Sequence, residues 1–240
     1  MAADGDDPHE PYEPMVSAER AEELLRWHED VLDILSSRTD EDVEYLGLQL
    51  HVPAGVFPPT PVSDVLGRVV VERVRPGQRV LDVGCGAGAN SVLAAQQGAE
   101  VVGVDVNPAS VEASRANAAA NGVADRTTFV LSDLFDGVDG TFDVMLIDPP
   151  FRWFPARSML ARAVTDEGFR TLRRFLAEAP GRLRPGGEVL VFYGSSGDVA
   201  HLDERAAAAG FRSETVAERI VPVRGEDALY FVRSLTLPTD

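Results

Sequence analysis

The sequence predicts an α/β fold in which a doubly wound, mostly parallel sheet carries helices on both faces. Three observations lead to this prediction. Strand-like and helix-like segments alternate over residues 79–209, a glycine-rich turn follows the first of these strands, and acidic residues stand where several strands end. Parallel strands need crossover connections and bury both faces, so this alternation is typical of such a sheet.

Seven strand-like runs make up the predicted sheet. They cover residues 79–83, 100–105, 128–131, 142–147, 188–193, 214–221 and 229–237. The first helix is expected over residues 89–97, and the next begins at Asn107-Pro108 and ends at Asn121-Gly122. Two more helices are expected, one with Phe169, Leu172, Leu176 and Ala179 on a single face and one over residues 198–209. The last two strands are joined by too few residues for a crossover helix, which predicts an antiparallel C-terminal hairpin.

The N-terminal part divides into a leader and a cap. Residues 1–15 are rich in Asp, Pro and Glu, which predicts a disordered acidic leader. Residues 16–45 predict a helical cap, because apolar residues recur at helical spacing and a second short helix is expected to begin at residues 39–42. Residues 46–240 form the predicted main domain. It opens with a strand at residues 48–52 and a helix with Pro61 in its first turn.

Composition narrows the classes of function. The chain has 240 residues and a formal net charge of -17, so its overall field repels nucleic acid, although a local arginine patch could still override it. The single cysteine, Cys85, excludes an internal disulfide, and four scattered histidines give no reason to expect a metal. No apolar run is long enough to cross a membrane and the N-terminus is acidic, so a cytoplasmic enzyme is expected. No oligomeric state is indicated.

The glycine-rich turn is the first candidate binding site. The strand Val80-Leu81-Asp82-Val83 runs into Gly84-Cys85-Gly86-Ala87-Gly88 and then into a helix. Glycines let a ligand approach the backbone, and a helix N-terminus offers unpaired amides to a negative group. Nicotinamide and flavin enzymes also have such turns, and a crowded sheet can need one. Asp105 ends the second strand, where a carboxylate can accept hydrogen bonds from ribose hydroxyls.

Two further residues favour one cofactor. Asp82 lies within the first strand, and Asp133 follows the third. With these residues the turn resembles the first motif of the class I S-adenosylmethionine-dependent methyltransferases, and the resemblance covers roughly residues 56–237. It implies a Rossmann-like fold and S-adenosyl-L-methionine as cofactor. By the resemblance, Asp82 with Gly84, Gly86 and Gly88 would hold the methionine end, Asp105 the ribose, and Asp133 with the Leu134 amide the adenine.

The fourth strand ends in Asp148-Pro149-Pro150-Phe151, which we predict to be the catalytic turn. Two prolines stiffen the chain and leave their carbonyls free to accept hydrogen bonds. Asp148 can accept a further N–H bond, and Phe151 offers an aromatic face. These groups suit an amino or amide nitrogen, although a plain tight turn is the alternative. The tetrapeptide is similar to the (Asp/Asn)-Pro-Pro-(Tyr/Phe) motif of methyltransferases that modify exocyclic amino groups of bases or the glutamine amide of release factors.

Two departures weaken the release-factor reading. Asp148 replaces the asparagine of those enzymes, and the segment over residues 56–61 lacks the arginine of their cofactor-covering segment. Arg152, Trp153 and Tyr193 are candidate substrate-binding residues, and a core role for Tyr193 is equally open. Arg157 and Arg162 could also bind an anionic group or lie on a solvated helix face. Either Trp153 or its neighbour Phe154 is expected to line the substrate pocket or to pack under the N-terminal cap.

The leading hypothesis is S-adenosylmethionine-dependent methylation of a nitrogen. The acceptor would be an amino or amide group on a small molecule, such as a natural-product intermediate, or on a peptide or protein. One alternative is a nucleobase amino group in RNA, which needs arginines clustered at the rim of the crevice. Another is O- or C-methylation of a small metabolite. A noncatalytic partner subunit is the non-enzyme alternative, and the intact motifs argue against it.

Overall fold

The N-terminal part of the chain forms one helix and a hairpin. The computed structural model describes residues 12–238. Helix α1 spans Ala18–Ser36, strand β1 Glu41–Tyr45 and strand β2 Leu48–Val52, and the two strands pair antiparallel. The expected second helix at residues 39–42 is therefore wrong. Residues 41–45 pair with β2 instead, and this pairing lets Tyr45 bury its ring and donate from Oη to the Ser63 carbonyl at 2.8 Å.

Two asparagines join this hairpin to the main domain. The Asn117 side chain accepts from the His51 amide at 2.8 Å and donates to the His51 carbonyl at 2.9 Å, as a neighbouring strand would. Asn121 donates to the Gln49 carbonyl at 2.9 Å in the same way. The expected boundary near Tyr45 thus falls at the turn of a hairpin that packs on the main domain.

The predicted seven-stranded sheet is confirmed, with an order that reverses at its centre. The spatial order is β5-β4-β3-β6-β7-β9-β8. Four neighbouring pairs are parallel, and the last two pairs, β7 with β9 and β9 with β8, are antiparallel. The strands are β3 (Arg79–Val83), β4 (Glu100–Asp105), β5 (Thr127–Leu131), β6 (Phe142–Ile147), β7 (Leu183–Gly194), β8 (Arg212–Val223) and β9 (Glu226–Thr236).

Helices cover both faces of the sheet. The first face carries α2 (Asp64–Arg73), α3 (Ala89–Gln96) and α4 (Pro108–Ala120), and the second carries α6 (Arg170–Glu178) and α7 (Val199–Ala208). The short α5 (Met159–Arg162) lies in the connection between β6 and α6. Helix α2 begins three residues after Pro61, because residues 61–63 form a turn instead of its first turn. In the described part of the chain, no helix is both long and apolar enough to span a bilayer.

The predicted leader falls mostly on residues 1–11, which lie outside the described residues. Its last part is held to the domain. The ring of Tyr12 packs between Phe169 and His201 with centroids 4.9 Å apart in each pair, and its hydroxyl donates to Asp198 at 2.5 Å. The Met15 amide donates to the same carboxylate at 2.7 Å. Residues 12–15 therefore pack on the domain because Tyr12 supplies an apolar ring with a polar end.

Candidate active site

The site lies where the strand order reverses, between the ends of β3 and β6. Connections from these two strands run to opposite sides, which opens a crevice at their carboxyl ends. The glycine turn follows β3, and the Asp-Pro-Pro-Phe turn follows β6. Asp105 is the last residue of β4 and Asp133 lies two residues after β5, so the sheet brings all four predicted segments to one edge.

Hydrogen bonds fix the glycine turn against β4. The amides of Gly84 and Cys85 donate to the Val104 carbonyl at 2.8 and 3.0 Å. Gly84 has a φ of 73°, and a Cβ built on it would meet nothing within 4 Å, so its backbone faces open space. Gly88 serves a different purpose. At its φ of 83° a Cβ would lie 3.0 Å from Ser114, so this glycine lets α3 approach α4.

Three carboxylates stand on the cofactor side. Asp105 accepts from the amides of Gly86 at 3.0 Å and Asn107 at 2.8 Å, and burial raises its pKa. The buried Asp82 accepts from the Ser91 hydroxyl at 2.6 Å, and burial raises its pKa to about 6. Asp133 is exposed and lies 3.5 Å from Arg174. Asp82 and Asp105 are thus held in place by neighbouring donors.

Asp148 differs from Asp82 and Asp105 because no donor in residues 12–238 hydrogen-bonds its carboxylate. Asp148 is exposed to the two cavities that it lines, and the protein that surrounds it nevertheless desolvates its carboxylate. This desolvation raises its pKa to about 7, and the charge of Asp82 contributes in the same direction. Among the described residues, the Pro149 carbonyl also accepts no hydrogen bond. The turn therefore presents two unused acceptors.

Two cavities meet at this turn. The first has a volume of about 730 Å³ and contains most of the predicted cofactor and catalytic residues. The second, of about 440 Å³, lies on the other side of Asp148, Pro149 and Pro150, which line both. The predicted residues that line the first cavity are Asp82, Gly84, Gly86, Asp105, Asp133, Leu134, Asp148, Pro149 and Pro150. Gly88 and Phe151 do not line it, and Phe151 lines the second cavity instead.

Helix α1 and the C-terminal hairpin enclose the second cavity. Trp27 and His28 line it from α1, and Tyr230 lines it from β9. Two ion pairs join the helix to the turn of the hairpin, Arg20 with Glu226 at 3.1 Å and Arg224 with Asp30 at 2.5 Å. The expected cap thus forms one wall of the cavity, as a single helix. The walls of the second cavity are mostly apolar, as is typical of small-molecule sites.

The three predicted substrate-binding residues have different positions. Arg152 lines the second cavity. Trp153 and Tyr193 line neither cavity, so the expected pocket position of Trp153 is wrong, and for Tyr193 the structure shows the core position that was the open alternative. Trp153 packs against Phe169 with centroids 5.9 Å apart, and Tyr193 is fully buried against Phe151 at 4.9 Å.

Other predictions around the turn have mixed outcomes. Phe154 packs against His28 of α1 with centroids 5.4 Å apart, so it is the aromatic residue that lies under the cap. Arg157 is exposed and lines neither cavity, whereas Arg162 lines the first.

Sequence reasoning missed three residues that complete the two cavities. Phe57 and Ser63 line both of them, and Tyr45 lines the first. The charge of Asp148 is a secondary cause that raises the pKa of Tyr45, after burial. Of the three, only Phe57 lies in the proline-rich segment over residues 56–61, the counterpart of a cofactor-covering segment, and this position is the signal that could have identified it.

Relatives of this chain are named as methyltransferases. The methyltransferase small domain family model matches residues 47–206. A protein of Methanocaldococcus jannaschii with the provisional name of N5-glutamine methyltransferase is 31% identical over 187 residues, or 75% of this chain and 93% of that protein. The release factor glutamine methyltransferase of Cereibacter sphaeroides is 31% identical, over 63% of this chain and 59% of its own. Ribosomal RNA small subunit methyltransferase C of Chromohalobacter salexigens is 36% identical, over 62% of this chain and 42% of its own.

Solved structures agree with the fold. The T. thermophilus 16S rRNA guanine methyltransferase, in complex with AdoMet and guanosine, is 26% identical with a TM-score of 0.59, and the match covers 83% of this chain and 50% of that one. A tRNA methyltransferase of Methanocaldococcus jannaschii has a TM-score of 0.64 at 16% identity and supports the fold alone; the match covers 85% of this chain and 58% of that one. The resemblance stated from the sequence is confirmed: this chain belongs to the methyltransferase small domain family of class I S-adenosylmethionine-dependent methyltransferases.

Proposed function

We propose that this chain transfers a methyl group from S-adenosyl-L-methionine to an amino or amide nitrogen held at Asp148 and Pro149. The single observation that carries the proposal is the position of the Asp148-Pro149-Pro150 turn, which forms the wall shared by two cavities. Such an arrangement suits a reaction between two molecules, because each molecule can be held on its own side of the turn.

The residues of the first cavity fit the cofactor. Asp105 can accept from the two ribose hydroxyls, and the open backbone at Gly84 leaves room for the methionine end. Asp133 and the Leu134 amide suit the adenine. Asp82 and Asp148 face the cavity without a cationic partner among residues 12–238, and each has a raised pKa. A positively charged ligand would lower both, so the electrostatics favour a sulfonium compound.

The turn itself would orient the acceptor and take its proton. When bound, S-adenosylmethionine supplies a methyl group on a positively charged sulfur, and the nitrogen–carbon bond forms as the carbon–sulfur bond breaks. The Pro149 carbonyl and Asp148 each accept one N–H, which directs the nitrogen lone pair away from both. The nitrogen loses one proton during the reaction, and Asp148 can receive it. The desolvation that raises the pKa of Asp148 also makes its carboxylate a stronger proton acceptor, and a bound sulfonium would offset part of this shift.

The names of the relatives support nitrogen as the acceptor atom. The M. jannaschii and C. sphaeroides relatives are named for the methylation of glutamine, whose acceptor is an amide nitrogen. Ionised aspartate only accepts hydrogen bonds, whereas a protonated Asp148 could also donate to an amide oxygen, as asparagine does. The raised pKa of Asp148 favours this protonated form before a sulfonium binds, and in that form the turn resembles the asparagine-containing form of the motif.

Methylation of a nucleobase in RNA is the second candidate. It is favoured by the relatives that act on ribosomal RNA and by Arg162, Arg170 and Arg174, which line the first cavity. However, Arg170 pairs with Glu167 at 3.1 Å, and Arg174 pairs with Asp133, Asp136 and Glu178. These acids offset much of the positive charge that a polyanion would need, so we prefer a small or peptide acceptor.

Calorimetric titration with S-adenosylmethionine tests the cofactor half of the proposal. We expect binding to the wild type and a loss of about tenfold to a hundredfold in Asp105→Asn, because a charged hydrogen bond to ribose is worth about 1.5–3 kcal/mol. Asp125→Asn, an exposed aspartate on the 3-10 helix Ala124–Arg126, is the matched control. The absence of binding in the wild type would overturn the proposal. A strong heat of binding on addition of total tRNA or rRNA would favour the nucleobase candidate instead.

A further inference from the structure

The second cavity contains an unusual arginine. Arg152 is 7% exposed and is the buried arginine of the described part of the chain. One terminal nitrogen of its guanidinium donates to the Ser196 carbonyl, and the guanidinium carbon lies 4.5 Å from the centroid of the Trp27 ring. Its Nε has no hydrogen-bond partner among residues 12–238. A buried guanidinium with one carbonyl partner is far from satisfied.

The charge of Arg152 also has no counter-ion among the described residues. Asp148 lines the same cavity but forms no ion pair with Arg152, and the groups that act on the guanidinium are Trp27, His28 and Arg20 from α1, Ser196 after β7, Tyr193 from β7 and Tyr230 from β9. None of these groups is an acid. Burial lowers the pKa of Arg152 to about 10, and burial together with the charge of Arg152 lowers the pKa of His28. A positive charge therefore stands in an apolar cavity of a chain whose formal net charge is -17.

Burying a charge without a partner costs free energy, and buried charges in proteins are usually paired. A purely structural role, in which Arg152 holds α1 through Trp27, would be served by an uncharged side chain at lower cost. The guanidinium is instead well suited to a planar carboxylate, which it binds with two parallel hydrogen bonds.

We propose that the methyl acceptor is a small molecule with a planar apolar body and a carboxylate group, and that Arg152 binds this carboxylate while the nitrogen lies at Asp148. This proposal rests on the proposed function and names the substrate class for the same site. Phe151, Phe192 and Tyr230 supply aromatic walls around the body of such a molecule. Asp148 and Arg152 are four residues apart, so their Cα atoms are separated by at most about 14 Å. A molecule with one or two rings can reach both.

Binding of matched neutral and anionic probes tests this proposal. The probes are 2-naphthoate and 2-naphthamide, titrated in the presence of S-adenosylhomocysteine. We expect the wild type to bind the carboxylate at least about tenfold more tightly than the amide, because the two differ in the charge-assisted bonds to Arg152. Arg152→Gln should lose this preference, and Arg152→Lys should keep part of it. Arg157→Gln removes an exposed arginine outside both cavities and should keep all of it.

Several results would overturn the proposal. Equal affinities of the wild type for the two probes would overturn it, and so would the absence of binding of either probe. Both results come from the wild type, so they do not depend on the folding of a variant. A preference that survives in Arg152→Gln would also do so, because Arg152 would then be only a structural residue. Tighter binding of 2-naphthyl phosphate than of 2-naphthoate would replace the carboxylate by a phosphate. The S-adenosylhomocysteine titration on the same samples reports separately on the proposed function.

Discussion

Asp148→Asn should stabilise the folded chain, and by more at alkaline than at acidic pH. Burial and the charge of Asp82 raise the pKa of Asp148 from 3.8 to about 7. The folded state therefore keeps a proton that the unfolded chain releases. The free energy of unfolding of the wild type falls as the pH rises from about 4 to about 7, and the loss is complete above that range. Asparagine does not titrate in this range, so the free energy of unfolding of the variant does not show this fall.

The size of the effect follows from the two pKa values. The difference between 3.8 and about 7 corresponds to about 4 kcal/mol for a fully buried group. Asp148 is open to the water of the crevice, which screens its charge, so the full value does not apply. We expect the advantage of Asp148→Asn to be about 1–2 kcal/mol larger at about pH 8 than at about pH 5.

Urea unfolding at both pH values measures this difference. The control is Asp125→Asn, which removes the same charge from an exposed position outside both cavities. Its effect on the free energy of unfolding should vary little between the two pH values. An advantage of Asp148→Asn that is the same at both pH values would refute the reasoning, because it would show that Asp148 ionises normally. The substitution should also slow methyl transfer, since the proton acceptor is lost while the geometry of the turn is kept.

Three further substitutions test the packing around the site. Gly88→Ala places a side chain at a φ of 83° and 3.0 Å from Ser114, so it should cost about 1–2 kcal/mol in urea unfolding and weaken cofactor binding in calorimetry; an unchanged affinity would contradict this. Tyr193→Phe removes a buried hydroxyl without a hydrogen-bond partner in the described part of the chain, so it should raise the free energy of unfolding by up to about 1 kcal/mol, and a clear decrease would contradict the core assignment. Asp198→Ala removes the N-cap of α7 and the partner of Tyr12, which should lower the free energy of unfolding by about 2–4 kcal/mol and expose the N-terminal segment to limited proteolysis. Proteolysis at the wild-type rate would show that this contact does not hold the segment.

The cofactor half of the site could be predicted from sequence because its parts are local. Asp82, the glycine turn and Asp105 each belong to a short segment at the end of a strand, and strand ends of a parallel sheet meet at one edge. Once the alternation of strands and helices is recognised, the convergence follows without knowledge of any side-chain contact. The same reasoning placed Asp148 correctly, because it also ends a strand.

The acceptor half depends on packing between distant segments, and local patterns do not determine that. Residues 39–42 contain a helix-start pattern, yet the chain continues into a strand because Tyr45 gains a buried site by pairing with β2. Trp153 and Tyr193 are aromatic residues near the motif, but both face the core. The sequence identified Arg152 as a candidate substrate-binding residue but not as a buried one, since burial without a counter-ion is a property of the folded chain.

Much of the wall of the second cavity comes from outside the segment that the family shares. The family model covers residues 47–206, which include the glycine turn and the Asp-Pro-Pro-Phe turn. Trp27 and His28 precede that segment, and Val221 and Tyr230 follow it, yet all four line the cavity next to Asp148. The shared segment therefore contains both turns, whereas α1 and the C-terminal hairpin supply much of the wall of the second cavity, where we propose that the acceptor binds. The acceptor of this chain must accordingly be sought from the chemistry of its own cavity, in which Arg152 is the buried charge.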